Sequence, residues 1–137
     1  MAFRDSARSF LLLLARLCVA AVFLYTGYRN IGKIDATAGR LAELHYPVPK
    51  IMAIVAVLAE LGGGLSLAFG AFMRAGCLAL ILFLLPTTYS FHVPGMLAGD
   101  SMQAIQALKN LAMIGGILAL SFAGPGGWSW DRRGQGG

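Results

Sequence analysis

The alternation of apolar and polar positions divides the chain into four long apolar runs, at residues 10–29, 51–73, 75–93 and 104–123. Each run is close to the roughly 20 residues that a helix needs to cross a bilayer core. Charged residues interrupt the runs rarely: Arg16 lies in the first, Glu60 in the second and Lys109 in the fourth, while the third carries only His92 near its end. The pattern predicts an all-α membrane protein, a four-transmembrane-helix up-down bundle forming a single domain over residues 1–137.

The connections predict one further element. Between the first two runs, Leu41, Leu44 and Tyr46 are interspersed with charged residues, which is the pattern of a short helix lying at the membrane interface. Pro47 and Pro49 are expected to end that helix before the second run begins.

Composition supports a membrane protein and argues against a soluble domain and a nucleic-acid-binding protein. Charged residues make up 12% of the chain and mean hydropathy is +0.72, whereas soluble domains carry roughly 25% charged residues. The net charge of +5 comes from basic residues near the helix ends, where they contact lipid headgroups, so nucleic-acid binding is not expected. A cleaved signal peptide fits the basic start, but Arg16 falls inside the apolar region, which favours a retained helix.

Orientation follows from the basic residues. Four spans place both termini on one side, with five basic residues on that side and four on the other. The positive-inside rule therefore favours cytoplasmic termini, by a single residue.

Glu60 raises the central question of the sequence, because it is an isolated carboxylate followed by Gly62, Gly63 and Gly64. Its helical face carries mostly Gly and Ala, and small faces allow helices to approach closely within a membrane. We therefore expect Glu60 to face the bundle interior. The glycines predicted to pack helices together are Gly27, Gly62, Gly63, Gly64 and Gly116.

Depth suggests that the buried charges meet. Counted from the end of the bundle opposite the termini, Arg16 lies about 20 Å deep, Glu60 about 14 Å and Lys109 about 8 Å at 1.5 Å per residue. His92 is expected near the same surface, and Asn110 beside Lys109. The sequence predicts a polar cluster of Arg16, Glu60, His92, Lys109 and Asn110 in which Glu60 contacts Arg16 or Lys109 directly.

Three interpretations of this cluster remain open: a buried ion pair that fixes helix register, a polar pocket for a ligand or a proton path, or a contact surface for a partner helix.

No catalytic residues are assigned, because neither a nucleophile–base pair nor a phosphate-binding loop is visible, and enzyme activity is left undecided. Cys18 and Cys77 are read as small apolar side chains, with a redox pair as the alternative. No metal site is predicted, since two separated histidines and two buried thiols are too few ligands.

These residues carry a family resemblance. The stretches "AELGGG", "SFHVPG", "QALKNLAMIGG" and "GPGGWSWDRR" occur in order along the chain, which resembles the DoxX family of small four-helix membrane proteins. The family pattern maps onto Arg16, Gly27, Lys33, Glu60, Gly62, Gly63, His92, Lys109, Asn110, Gly124, Pro125, Ser129 and Asp131. The resemblance implies a bacterial inner-membrane protein, and some members are subunits of a thiosulfate:quinone oxidoreductase or associate with oxidative-stress complexes.

Two functions are therefore expected. The first is a membrane accessory or quinone-interacting subunit of a redox system, with quinone as the candidate cofactor and no covalently bound group. The alternative is a non-catalytic membrane module that binds a partner protein or carries a small solute. Expected partners are membrane lipid and, as candidates, a quinone, a redox partner protein and a second copy of the chain.

Overall fold

The computed structural model describes residues 2–133 of the chain, and the side chains of residues 5–131. The helices are α1 (Ala2–Ile31), α2 (Ile34–Glu43), α3 (Pro49–Phe69), α4 (Met73–Thr87), α5 (Val93–Leu97), α6 (Ser101–Ala123) and α7 (Trp130–Arg133), with a π-helical turn at Thr88–His92 between α4 and α5. Within residues 2–133, four helical segments are long and apolar enough to cross a membrane: Asp5–Ile31, Pro49–Phe69, Met73–Leu97 and Ser101–Ala123. The predicted all-α bundle of four spanning helices is confirmed.

The turn between α3 and α4 lies earlier than the apolar pattern suggested. The second apolar run extends to residue 73, but α3 ends at Phe69, and Gly70 adopts a left-handed conformation with φ of 64°. The hydroxyl of Ser66 donates to the carbonyl of Ala71 at 2.6 Å and so satisfies a free group at the helix end. Because nearly every residue in this turn is apolar, hydropathy alone could not separate the two helices.

The third span continues past residue 93, where the third apolar run ends and Pro94 follows. Pro94 has no backbone N–H to offer the usual helical acceptor four residues earlier. The chain instead widens into the π-helical turn, in which the backbone N–H of Val93 donates to the carbonyl of Thr88. Helix α5 then carries the span to Leu97.

The core is small and the apolar exterior is large, as expected when lipid rather than water surrounds the protein. Side chains such as Leu58, Leu108 and Phe122 point outwards, with Phe122 93% exposed. The buried apolar residues of the main cluster are Ala20, Phe23, Leu67, Met73, Cys77, Leu80, Leu84, Ile117 and Leu120.

Glycines set the closest helix approaches. A Cβ on Gly27 would lie 3.0 Å from the Cβ of Glu60, and one on Gly63 would lie 2.5 Å from Leu80. Gly64 packs in the same way against Leu24, with 3.0 Å to its side chain. These three predicted packing glycines therefore join α1 to α3 and α3 to α4.

Two other glycines that were expected to pack against a neighbouring helix, Gly62 and Gly116, do not. Within the described residues, no atom lies within 4 Å of the position that a Cβ would take on Gly62 or Gly116. Gly62 is exposed because it is one position round the helix from Gly63, which takes the packing place.

Candidate functional site

Four helical segments enclose a polar recess of about 260 Å³. We use "polar recess" for the cavity between the C-terminal half of α1, Glu60 of α3, the end of α4 with the π-helical turn, and the N-terminal half of α6. It lies towards the end of the bundle opposite the termini. Of the predicted cluster, it brings together Glu60, His92, Lys109 and Asn110.

Glu60 is held by two donors from α1. The hydroxyl of Thr26 donates to one carboxylate oxygen at 2.6 Å, and the amide nitrogen of Asn30 donates to the other at 2.8 Å. Thr26 and Asn30 are one helical turn apart, so both point the same way. The absence of a side chain on Gly27 allows α3 close enough to α1 for these bonds to form. The residue Glu60 is 3% exposed, and each of its carboxylate oxygens accepts one hydrogen bond.

The π-helical turn and α6 form the opposite wall. The amide nitrogen of Asn110 donates to the hydroxyl of Thr88 at 2.9 Å, and that hydroxyl donates to the carbonyl of Leu84 at 2.6 Å. The ring Nδ1 of His92 donates to the side-chain oxygen of Gln103 at 2.8 Å, which leaves Nε2 as the second polar atom of the ring. Since π-helical turns often occur at functional sites, this wall is a candidate surface for contacting a ligand in the recess.

Basic side chains surround the opening of the recess. Arg29, Lys33 and Lys109 all line it and are all exposed. Among the side chains of residues 5–131, the salt bridge that forms is elsewhere, between Lys50 and Asp35 at 3.1 Å on the surface. The three cations of the recess therefore have no carboxylate at salt-bridge distance in the described part of the chain.

The predicted salt bridge between Glu60 and Arg16 or Lys109 is wrong. Arg16 is fully buried at the other end of the bundle, where its guanidinium donates to the carbonyl of Leu67 at 3.3 Å and to that of Trp128 at 2.6 Å. Arg16 therefore does not belong to the polar recess.

The error came from assuming that the helices end at equal depth. The contacts of Gly27 with Glu60 show which residues of α1 and α3 lie level. Arg16 precedes Gly27 by 11 residues, which separates it from Glu60 by about 16 Å along the helix axis. Helix α3 starts beyond the end of α1 because it also packs against α2.

A second polar assembly, missed by reasoning from spacing, surrounds Arg16. The carboxylate of Asp131 accepts hydrogen bonds from the backbone N–H groups of Phe72 at 2.8 Å and Met73 at 3.0 Å, and so caps the start of α4. The backbone N–H of Asp131 donates to the carbonyl of Gly70 at 3.0 Å. We call residues 124–131 the C-terminal clasp, since they connect α1 with the turn between α3 and α4. The "GPGGWSWD" segment gave a signal only through the family pattern.

Thr26 and Asn30 were also missed. Both lie near the end of the first apolar run and look like ordinary interface residues in the sequence. Their spacing of four residues places both on one face of the first helix, close to Gly27. That spacing was the only indication in the sequence that they act together.

The thiols do not form a pair. Cys18 is exposed on α1 and Cys77 is buried in the core of α4, and both are free. Cys77 is therefore buried among apolar side chains, as expected, whereas Cys18, which was also expected to be buried, lies on the outer surface of α1.

A larger groove of about 420 Å³ lies on the outer surface of α3 and α4. Its lining is apolar apart from Ser66, whose hydroxyl already donates to Ala71. The groove therefore offers no free polar group to a ligand head, in contrast to the polar recess.

Comparison with known proteins places the chain among membrane proteins of related sequence. The DoxX family model matches residues 11–93. Inner membrane protein YphA of Escherichia coli (strain K12) is 33% identical over 130 residues, covering 93% of each chain. Inner membrane protein YqjF of the same organism is 34% identical over 121 residues, covering 88% of each chain. No solved structure matches the chain. With four spanning helices and these similarities, the chain is a membrane protein that belongs to the DoxX family.

Proposed function

We propose that the chain is an accessory, quinone-interacting subunit of a membrane redox system, and that the polar recess binds the quinone ring. The observation that carries this proposal is the meeting of hydrogen-bond donors and apolar walls in one cavity. Lys109 and His92 offer polar atoms at the rim, while Phe23, Phe83 and Met113 line the interior. A quinone head needs both, because its carbonyl oxygens accept hydrogen bonds and its ring faces are apolar.

The size of the recess agrees with a head group and not a whole lipid. Its volume of about 260 Å³ lies just below the roughly 300–1,000 Å³ of pockets that enclose drug-sized ligands. In this proposal the ring occupies the recess and an isoprenoid tail extends between the helices into lipid. Electrons would be exchanged with a partner protein.

The test is mild purification followed by extraction and identification of bound quinones. We expect quinone in the wild-type protein and markedly less in Lys109→Gln and His92→Gln. Lys50→Gln is the matched control, because Lys50 is exposed and does not line the recess. Quinone absent from all samples would sink the proposal, and a stoichiometric protein partner found without quinone would favour the alternative, a partner-binding module.

The proposal also includes an inner-membrane location and cytoplasmic termini. The names of the two relatives support an inner-membrane location for this chain. The one-residue excess of basic side chains supports cytoplasmic termini. A reporter enzyme fused after Gly137 should be active only in its cytoplasmic form, and activity confined to the periplasmic form would reverse the assignment.

A further inference from the structure

We propose that the polar recess selects a ligand whose head carries a negative charge, and that Lys109 is the main counter-charge. This inference rests on the proposed function, since it assumes that the recess is a ligand site. It adds the chemical class of the head: an anionic oxygen, as in an ionised hydroxyquinone, a carboxylate or a phosphate.

The charges that line the recess do not balance. Arg29, Lys33 and Lys109 contribute three positive charges and Glu60 contributes one negative charge, which leaves an excess of two with His92 neutral. Moreover, Glu60 does not pair with the cations. Both of its oxygens accept hydrogen bonds from α1, and the recess contains no salt bridge among the described side chains.

Lys109 is the cation whose position most needs an explanation. It follows Ser101, the first residue of α6, by eight residues, which places it about 12 Å into the spanning helix. Neighbouring α6 residues Ile105 and Leu108 are exposed apolar side chains that face lipid. An ammonium group at such a depth is costly without a partner, and an anion in the recess would supply one.

The surroundings strengthen such a pair. An ion pair between the helices is weakly screened by water, so its attraction exceeds that of the same pair on a soluble surface. Arg29 lies on the same recess, and its guanidinium stacks on the Tyr25 ring at 5.8 Å from the ring centroid. Arg29 is therefore already ordered near the opening, where it can attract the same anion.

The test compares two naphthoquinones of nearly equal shape and different charge. 2-Hydroxy-1,4-naphthoquinone is ionised at neutral pH, whereas 2-methoxy-1,4-naphthoquinone is neutral. Binding of each to purified protein is measured by calorimetry in an uncharged detergent. We expect the anion to bind at least about tenfold more tightly, the ratio expected from one close charge pair.

Variants assign the effect to Lys109. Lys109→Gln should abolish the preference, Lys109→Arg should keep it, and Lys50→Gln should leave it unchanged. Because Lys109 is exposed, the variants are expected to fold, and the comparison of the two ligands on the wild-type protein stands without them. A preference that survives in Lys109→Gln would overturn the role of that residue and with it the inference.

Two further results separate this inference from the proposed function. Equal binding of the two probes would overturn charge selection and leave quinone binding intact. No binding of either probe would overturn both. If nanodiscs of phosphatidylglycerol weaken binding of the anionic probe more than nanodiscs of phosphatidylcholine, and Lys109→Gln removes the difference, the anion is supplied by a lipid headgroup, which supports the inference.

Discussion

Glu60 and Arg16 show how differently two buried charges are accommodated in one small bundle. The carboxylate accepts hydrogen bonds from two neutral side chains of α1. The guanidinium donates to two backbone carbonyls at the opposite end, while its buried Nε has no partner in the described part of the chain. Neither depends on the other. The scarcity of charged residues in the spans favoured a direct pair in the sequence analysis. Instead, Thr26 and Asn30 donate hydrogen bonds to Glu60, and Arg16 donates to backbone carbonyls.

The first prediction at this scale is that the two sites are energetically independent. In a double-mutant cycle of Glu60→Gln and Arg16→Met, the losses of unfolding free energy should add to within about 0.5 kcal/mol, as for other separated sites. Unfolding in mixed detergent micelles would measure them. A coupling on the order of 1–3 kcal/mol, as contacting residues show, would indicate a direct interaction between Glu60 and Arg16.

A neighbouring pair of glycines provides the second prediction. Gly63→Ala should lower the unfolding free energy by about 1–3 kcal/mol, because its new methyl group would overlap the side chain of Leu80. Gly62→Ala is the control, since the space around Gly62 is open, and it should be neutral or slightly stabilising. Equal effects of the two substitutions on thermal stability in detergent would argue against the packing of α3 on α4.

At the scale of elements, the start of α4 depends on a residue far away in the chain. Helix α4 has no capping side chain of its own, because Phe72 occupies the N-cap position. Asp131 of the C-terminal clasp fills that role with both carboxylate oxygens. Capping by a distant segment couples the end of the chain to the turn between α3 and α4, so the clasp belongs to the bundle.

Replacing that carboxylate should therefore destabilise the protein. Asp131→Ala is expected to cost about 0.5–2 kcal/mol, the usual effect of losing an N-cap acceptor. Asp100→Ala is a useful comparison, because Asp100 caps α6 from the adjacent position in the chain. If thermal melting of Asp131→Ala equals that of the wild type while Asp100→Ala melts earlier, the clasp does not cap α4.

The whole molecule was largely predictable from the sequence at the level of architecture. Four long apolar runs with at most one charged residue each within the span are sufficient to predict four spanning helices, because a helix satisfies its own backbone within lipid. Of the five residues predicted to form one polar cluster, Glu60, His92, Lys109 and Asn110 line the recess and Arg16 does not.

The departures have separate physical causes. The turn at Gly70 lies within uniformly apolar sequence, and the third span continues past Pro94 because a π-helical turn accommodates the missing N–H. The position of Arg16 depends on how helices shift along one another. Apolar residues pack equally well at many registers, so the pattern of hydropathy does not contain that shift. The register is fixed by close contacts such as Gly27 with Glu60 and Gly63 with Leu80, which appear only in three dimensions.

The most direct test of the central proposal, that the polar recess holds a quinone head, is photolabelling with an azidoquinone in native membranes followed by mass spectrometry of the labelled peptides. The expected labels fall on residues lining the recess, such as Phe83 and Met113, and excess unlabelled quinone should suppress them. Labels on the outer groove around Ala59 and Ala75, or labels that do not compete with quinone, would contradict the proposal.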